Sequence, residues 1–137
     1  VEIVGLVDIN EEELGDRGGK LDLNDDQIFT DCEEACANVK ADFCGIATSL
    51  QFHSPATIAA MDAGMAVICE KPIADTLEAA KAIALKAAET GLPCAIIQNY
   101  RYTPNKKELV RIREEERLGR LQHIVGRYAC DHREYES

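Results

Sequence analysis

The chain has 137 residues, 46% of them hydrophobic and 29% charged, a composition typical of one folded domain or a domain with a short extension. With 15 basic and 25 acidic residues the net charge is −10, which repels phosphate backbones and argues against nucleic-acid binding. No apolar run approaches the roughly 18 residues that a membrane-spanning helix needs, and no signal peptide is visible. We therefore expect a cytoplasmic protein with neither a membrane nor a nucleic-acid partner.

Apolar, β-branched runs predict the strands of the chain. The first run covers residues 1–7 and stops at Asp8, and we expect it to be buried on both faces. A short strand is predicted at residues 27–30. Further strands are predicted at residues 42–48, 65–69 and 94–98, and a longer one, exposed on one face, at residues 121–130.

Helices are predicted between these strands from their start and stop signals. Short ones are expected at residues 11–15 and, capped by Asp31, at residues 31–39. The cluster Gly15, Gly18 and Gly19 follows a polar stretch and is interpreted as a turn.

The later helices have stronger signals. Ser54 is the predicted N-cap of one, with Pro55 at its first position and Gly64 at its end. Asp75 and Glu78 form a predicted capping box for a long helix that Gly91 ends. Thr103 and Pro104 open a last helix, which we expect to stop at Gly119.

The alternation of strands and helices predicts an α/β fold with a parallel sheet and flanking helices. The pattern changes near Tyr100, where buried strands give way to a charged helix and a half-polar strand. We therefore expect one domain over residues 1–99 and the start of a second, α+β domain over residues 100–137.

The six cysteines form no C-x-x-C pair, and most lie in apolar stretches. We expect reduced thiols that pack as small core residues, and no metal site. The cysteines are Cys32, Cys36, Cys44, Cys69, Cys94 and Cys130.

Two groups of residues have a pattern that suggests chemistry. In a dinucleotide-binding fold, a carboxylate at the end of the fold's second strand accepts hydrogen bonds from the adenosine ribose and repels a 2′-phosphate. Asp8 has this position if residues 1–7 form that second strand. The alternative is a strand-ending Asp in a turn.

Glu70 and Lys71 follow a predicted strand, where ligands of open α/β sheets bind. If the Lys71 side chain is partly buried, we expect Glu70 to pair with its ammonium. The alternative is an ion pair between the two residues at the protein surface.

In combination, these segments resemble the Gfo/Idh/MocA family of glucose-fructose oxidoreductases and inositol dehydrogenases. The matching elements run in family order. They are Ile46-Ala47-Thr48-Ser49 with His53, Ala63-Gly64 through Glu70-Lys71-Pro72, and Asn99-Tyr100-Arg101 with Pro104. The resemblance extends from about Val1 to about Ile124.

The resemblance implies a role for each site residue. Asp8, Thr48, Ser49, His53, Glu70 and Lys71 would bind the cofactor, NAD with NADP as the alternative. Lys71 would also act as the catalytic residue by reaching the substrate hydroxyl, and the Lys71–Pro72 bond is expected to be cis. Asn99 and Arg101 would lie on the substrate side. Considered alone, His53 is instead a helix-start cap.

The family pattern also predicts what this chain lacks. A glycine-rich phosphate loop belongs about 20 residues before the ribose acid, but only seven residues precede Asp8. We therefore expect a Rossmann-like domain without its first strand and glycine loop, in a chain that is part of a longer protein. Direct pairing of residues 1–7 with residues 42–48 is the alternative. The second domain would hold the general base and the surface for homo-oligomer formation.

The function implied is an NAD(P)-dependent oxidoreductase that transfers a hydride between the nicotinamide and a sugar, inositol or related polyol. We expect residues 1–137 alone to be inactive and to bind NADH weakly, because the pyrophosphate lacks its loop. The alternative is a non-catalytic nucleotide-binding or scaffold module with the same fold.

Overall fold

The computed structural model describes residues 1–127. The end of the strand predicted at residues 121–130, with Cys130, lies outside the described residues. The chain divides into two compact units, Val1–Ile97 and a segment that starts at Gln98, and each is described by itself.

The first unit begins with a parallel two-stranded sheet. Its strands are β1 (Leu6–Val7) and β2 (Ile28–Phe29), joined through helix α1 (Glu11–Lys20). Asn10 caps α1 by accepting hydrogen bonds from the amides of Glu12 and Glu13. After β2, helix α2 (Cys32–Asn38) starts at Asp31, which accepts from the Glu34 amide as predicted.

The long buried strand predicted for residues 1–7 is wrong. Only Leu6–Val7 form a strand, and the Val7 side chain is 41% exposed. Within residues 1–127, β1 pairs with β2 on one side only, and no strand pairs with its other edge. The alternative of direct pairing with residues 42–48 is also wrong, because that segment belongs to a different sheet.

The glycine cluster lies inside helix α1, so its interpretation as a turn is wrong. Gly18 is buried, and a Cβ placed there would overlap the side chain of Ile28 in β2. The missing side chain therefore lets the helix approach the strand closely. Gly15 faces open space.

This difference predicts opposite effects of two substitutions in α1. Gly15→Ala raises the free energy of unfolding by about 0.5–1 kcal/mol, because alanine restricts the unfolded chain without meeting any neighbour. Gly18→Leu lowers it by about 1–3 kcal/mol, because the added side chain is forced against Ile28. Urea denaturation of both variants checks the pair, and changes of the same sign would contradict it.

A second, three-stranded parallel sheet has the order β3-β4-β5. Its strands are β3 (Phe43–Ile46), β4 (Ala66–Cys69) and β5 (Cys94–Ile96). Helices α3 (His53–Asp62) and α4 (Leu77–Thr90) connect them. The predicted strand–helix alternation and the α/β class are confirmed.

Burial alternates along these strands. Ile46, Val67 and Cys69 are at most 5% exposed and pack with Ala60 and Met61 of α3. On the opposite face of the sheet, Phe43 is 42% and Ile68 is 40% exposed. In the described part of the chain these strands are therefore buried on the face against which α3 packs.

Two predicted helix caps are also wrong. A 3-10 turn at Leu50–Phe52 leads directly into α3, so the helix begins before Ser54, and the Ser54 hydroxyl donates to the Ala79 carbonyl instead. Helix α4 is capped by Thr76, one residue after Asp75, and no capping box forms there. Gly64 and Gly91 end their helices as predicted, and both have a positive φ.

The second unit is a short helical segment. A 3-10 turn at Asn99–Tyr102 precedes helix α5 (Pro104–Glu114), which Thr103 and Pro104 open as predicted. The helix ends at Glu114, before the predicted stop at Gly119, and Glu116 just after it has a left-handed φ of 51°. Residues 121–127 form no strand.

Candidate functional site

The carboxyl ends of β3 and β4 lie at the same edge of the three-stranded sheet. The Glu70 amide donates to the Ile46 carbonyl at 2.8 Å, and the Ile97 amide donates to the Cys69 carbonyl at the same distance. These bonds continue the pairing just beyond the strands. They bring the Thr48–Ser49 turn beside the Glu70–Lys71 segment.

Lys71 is exposed at this edge, and the bond to Pro72 is cis, as predicted. The Glu70 carboxylate accepts a hydrogen bond from the backbone amide of Lys71 at 3.0 Å. The expectation that Glu70 pairs with a partly buried Lys71 ammonium is therefore wrong. Glu70 holds the main chain instead, and Lys71 is exposed.

His53 lies behind this edge and is only 2% exposed. Its Nδ1 is 2.8 Å from the carbonyl oxygen of Pro72, and its Nε2 is 3.1 Å from the carbonyl oxygen of Thr48. The ring therefore contacts both segments at the strand ends. It does not cap the amides of α3, so the alternative role as a helix-start cap is wrong.

Thr48 and Ser49 have exposed side chains at the end of β3. The Ser49 carbonyl accepts from the Phe52 amide at 2.9 Å, which closes the turn into α3. Both residues are exposed, so both are accessible to a ligand.

Asp8 stands in the other sheet, at the carboxyl end of β1. Its Oδ1 accepts from the Asn10 amide at 2.9 Å, and its own amide donates to the Phe29 carbonyl at 3.2 Å. The Asp8 side chain is thus part of a turn, as in the alternative of a strand-ending Asp. It is also exposed, and a carboxylate has further lone pairs for hydroxyl donors such as those of a ribose.

Asn99 and Arg101 belong to the second unit. Asn99 Oδ1 accepts from the Tyr100 amide at 3.0 Å, and the Arg101 amide donates to the Gln98 carbonyl at 2.9 Å. The Arg101 guanidinium is exposed. Their position on the substrate side stays a prediction.

The cysteines of the described residues are all free thiols; Cys69 lies in the core, and Cys36, Cys44 and Cys94 pack against it. Burial raises the pKa of Cys32, Cys44, Cys69 and Cys94, and it raises that of Cys36 to about 12. Thiols with raised pKa values are poor nucleophiles. Across residues 1–127, no three His, Cys, Asp or Glu side chains are grouped to hold a metal ion.

The Cys36 pKa predicts a pH effect on stability. The unfolded thiol ionises near pH 8.5 and the folded one near 12, so the unfolded chain loses its proton first. The free energy of unfolding therefore falls as the pH rises through this window. Urea denaturation at neutral and alkaline pH checks this, and Cys36→Ala should reduce the slope. An unchanged slope in that variant would contradict the assignment to Cys36.

Parallel strands linked by helices, with an exposed lysine at their carboxyl edge and a carboxylate at the end of β1, define a nucleotide-binding α/β domain of the Rossmann type. Residues 1–98 match the family described as an oxidoreductase family with an NAD-binding Rossmann fold, GFO_IDH_MocA. The chain therefore belongs to the Gfo/Idh/MocA oxidoreductase family, as the resemblance predicted.

Individual relatives agree with this assignment. An uncharacterized protein of Sinorhizobium fredii, y4oX, is 36% identical over all of this chain and 38% of its own length. D-apiose dehydrogenase of Paraburkholderia graminis is 32% identical over 75% of this chain and 27% of its own length. The WlbA dehydrogenase from Bordetella pertussis, crystallised with NADH and UDP-GlcNAcA, superposes with a TM-score of 0.80 at 25% identity, covering 87% of this chain and 34% of that one.

The chain thus matches between 27% and 38% of the length of these relatives. Among the described residues, no helix is both long and apolar enough to cross a membrane. The cytoplasmic location stays a prediction.

Proposed function

We propose that the whole protein is an oxidoreductase that transfers a hydride between a nicotinamide cofactor and a sugar, inositol or related polyol. The observation that carries this proposal is the exposed Lys71 at the carboxyl edge of the sheet, with its main chain held by Glu70. An ammonium there is free to donate to a substrate hydroxyl, which it orients and polarises.

The cofactor we propose is NAD, which accepts the hydride when bound. Asp8 suits the adenosine ribose because it is exposed and retains acceptor capacity, and its negative charge disfavours the 2′-phosphate of NADP. Thr48, Ser49 and Glu70 would contact the cofactor from the ends of β3 and β4. Because Asp8 suits the ribose of NAD and disfavours the 2′-phosphate of NADP, its substitution should weaken NAD binding more than NADP binding.

A sugar or polyol substrate is supported by two relatives. One acts on D-apiose by its name, and the other was crystallised with a nucleotide sugar. In the proposed arrangement Lys71 holds the reacting hydroxyl, with Asn99 and Arg101 on the substrate side. Multiple hydroxyl groups suit such a set of donors and acceptors.

Incubation of the whole protein with NAD+ or NADP+ and each of D-apiose, D-glucose and myo-inositol tests the proposal. We expect one or more of these alcohols to produce reduced nicotinamide, faster with NAD+ than with NADP+. NADH binding without turnover of any sugar or polyol would instead favour the non-catalytic nucleotide-binding module.

A further inference from the structure

We propose that His53 is a positioning residue, whose buried ring sets the place of Lys71 by holding the Pro72 carbonyl. The inference rests on the function proposed for Lys71. It assigns His53 an indirect role instead of a contact with the cofactor, because the ring is 2% exposed and both nitrogens face backbone carbonyls.

The main chain of Lys71 is held from two directions. The Glu70 carboxylate accepts from the Lys71 amide at 3.0 Å, and His53 Nδ1 lies 2.8 Å from the carbonyl of the next residue, Pro72. The Lys71 side chain itself is exposed and has four rotatable bonds, so its fixed backbone defines where the ammonium can reach. A displacement of about 1 Å at a reacting centre lowers a rate by about 100-fold.

The other side of the ring holds a different segment. His53 Nε2 is 3.1 Å from the Thr48 carbonyl, in the turn that follows β3. A carbonyl oxygen only accepts, so a neutral imidazole donates to one of the two segments and an imidazolium to both. Nδ1 thus faces the segment that contains Lys71, and Nε2 faces the turn that contains Thr48.

This geometry permits two conservative variants that separate the contacts. The amide nitrogen of asparagine in His53→Asn takes a place close to Nδ1, and that of glutamine in His53→Gln takes one close to Nε2. The first supplies a donor to the Pro72 carbonyl, and the second supplies one to the Thr48 carbonyl. Ser54→Ala is the matched control, because it removes a buried hydrogen bond from the next residue that reaches Ala79 and not Lys71.

In the whole protein we expect His53→Gln to lower kcat by about 10- to 100-fold, with a smaller change in KM for NAD+. His53→Asn should restore kcat to within a few-fold of the wild-type value, and Ser54→Ala should leave it unchanged. A merely structural role predicts that the three variants lose activity in proportion to their loss of thermal stability. That result, or a lower kcat in His53→Asn than in His53→Gln, would overturn the proposal.

A second measurement needs no activity and separates this inference from the proposed function. Proton–nitrogen NMR spectra of the 137-residue chain should show the Lys71 amide shifted in His53→Gln and unshifted in His53→Asn. If the whole protein transfers no hydride, the function fails while the amide shifts still decide the positioning. An unshifted Lys71 amide in His53→Gln overturns it. If His53→Gln does not fold, His53→Asn decides, because a displaced Lys71 amide in that variant overturns the proposal and a retained one supports it.

Discussion

Replacing Lys71 by alanine should lower the turnover of the whole protein by about two to four orders of magnitude, the range of a positioned proton donor or acceptor. Because the Lys71 side chain is exposed, we expect the variant to fold as the wild type does. Cofactor affinity should change much less than turnover, since the ammonium is proposed to act on the substrate hydroxyl. Steady-state kinetics with NAD+ and the accepted alcohol, together with an NADH titration, measure both quantities.

Two further substitutions make this result specific. Lys81→Ala removes an exposed lysine from helix α4 and should leave turnover unchanged, which controls for the loss of one positive charge. Lys71→Arg keeps the charge but replaces a compact ammonium by a wide planar fork, so it should recover little activity. Near-normal turnover of Lys71→Ala would remove Lys71 from the mechanism.

The sequence predicted the type and order of the central elements because each has a local cause. Short apolar runs form β3, β4 and β5, and Gly64 and Gly91 end helices through a positive φ that other residues adopt at a cost. Glu70 and Lys71 were placed correctly at a strand end, because in a parallel sheet the residues just after each strand share one edge.

Other features depend on contacts between distant parts of the chain. An apolar run does not reveal which of its faces will be covered, and Phe43 and Ile68 are exposed although their strand patterns are continuous. Gly18 lies in a cluster of glycines that suggests a turn, but it is part of a helix. Its missing side chain leaves room for Ile28, which lies in a strand ten residues later.

The functional site shows the same division. The position of His53 just before a helix start suggested a cap or a cofactor contact. Its partners are the carbonyls of Thr48 and Pro72, five and nineteen residues away. Backbone carbonyls carry no side-chain signal, so only the three-dimensional structure identifies this link. A similar limit applied to Glu70, whose carboxylate binds an amide and not the neighbouring ammonium.

Met61→Ala should have the largest effect on stability, because Met61 of α3 is 1% exposed at the centre of the packing between helix and sheet. Its side chain lies with Ile46, Val67 and Cys69, where truncation leaves a cavity that rigid neighbours fill only in part. We expect a loss of about 2–5 kcal/mol in the free energy of unfolding. Domains of this size have about 5–15 kcal/mol in total, so this loss is a large share of the stability.

Two further variants test whether the lost core volume, and not the loss of methionine itself, causes this destabilisation. Met61→Leu conserves the volume and should cost less than about 1.5 kcal/mol. Leu85→Ala removes an equally apolar side chain from α4, where it is 71% exposed, and should change the free energy of unfolding by less than about 0.5 kcal/mol. Urea denaturation followed by circular dichroism ranks the three variants. Equal losses for Met61→Ala and Leu85→Ala would show that α3 does not pack against the sheet as described. The site would then lack its support, because the same helix begins with His53 and carries the ring to the Thr48 and Pro72 carbonyls.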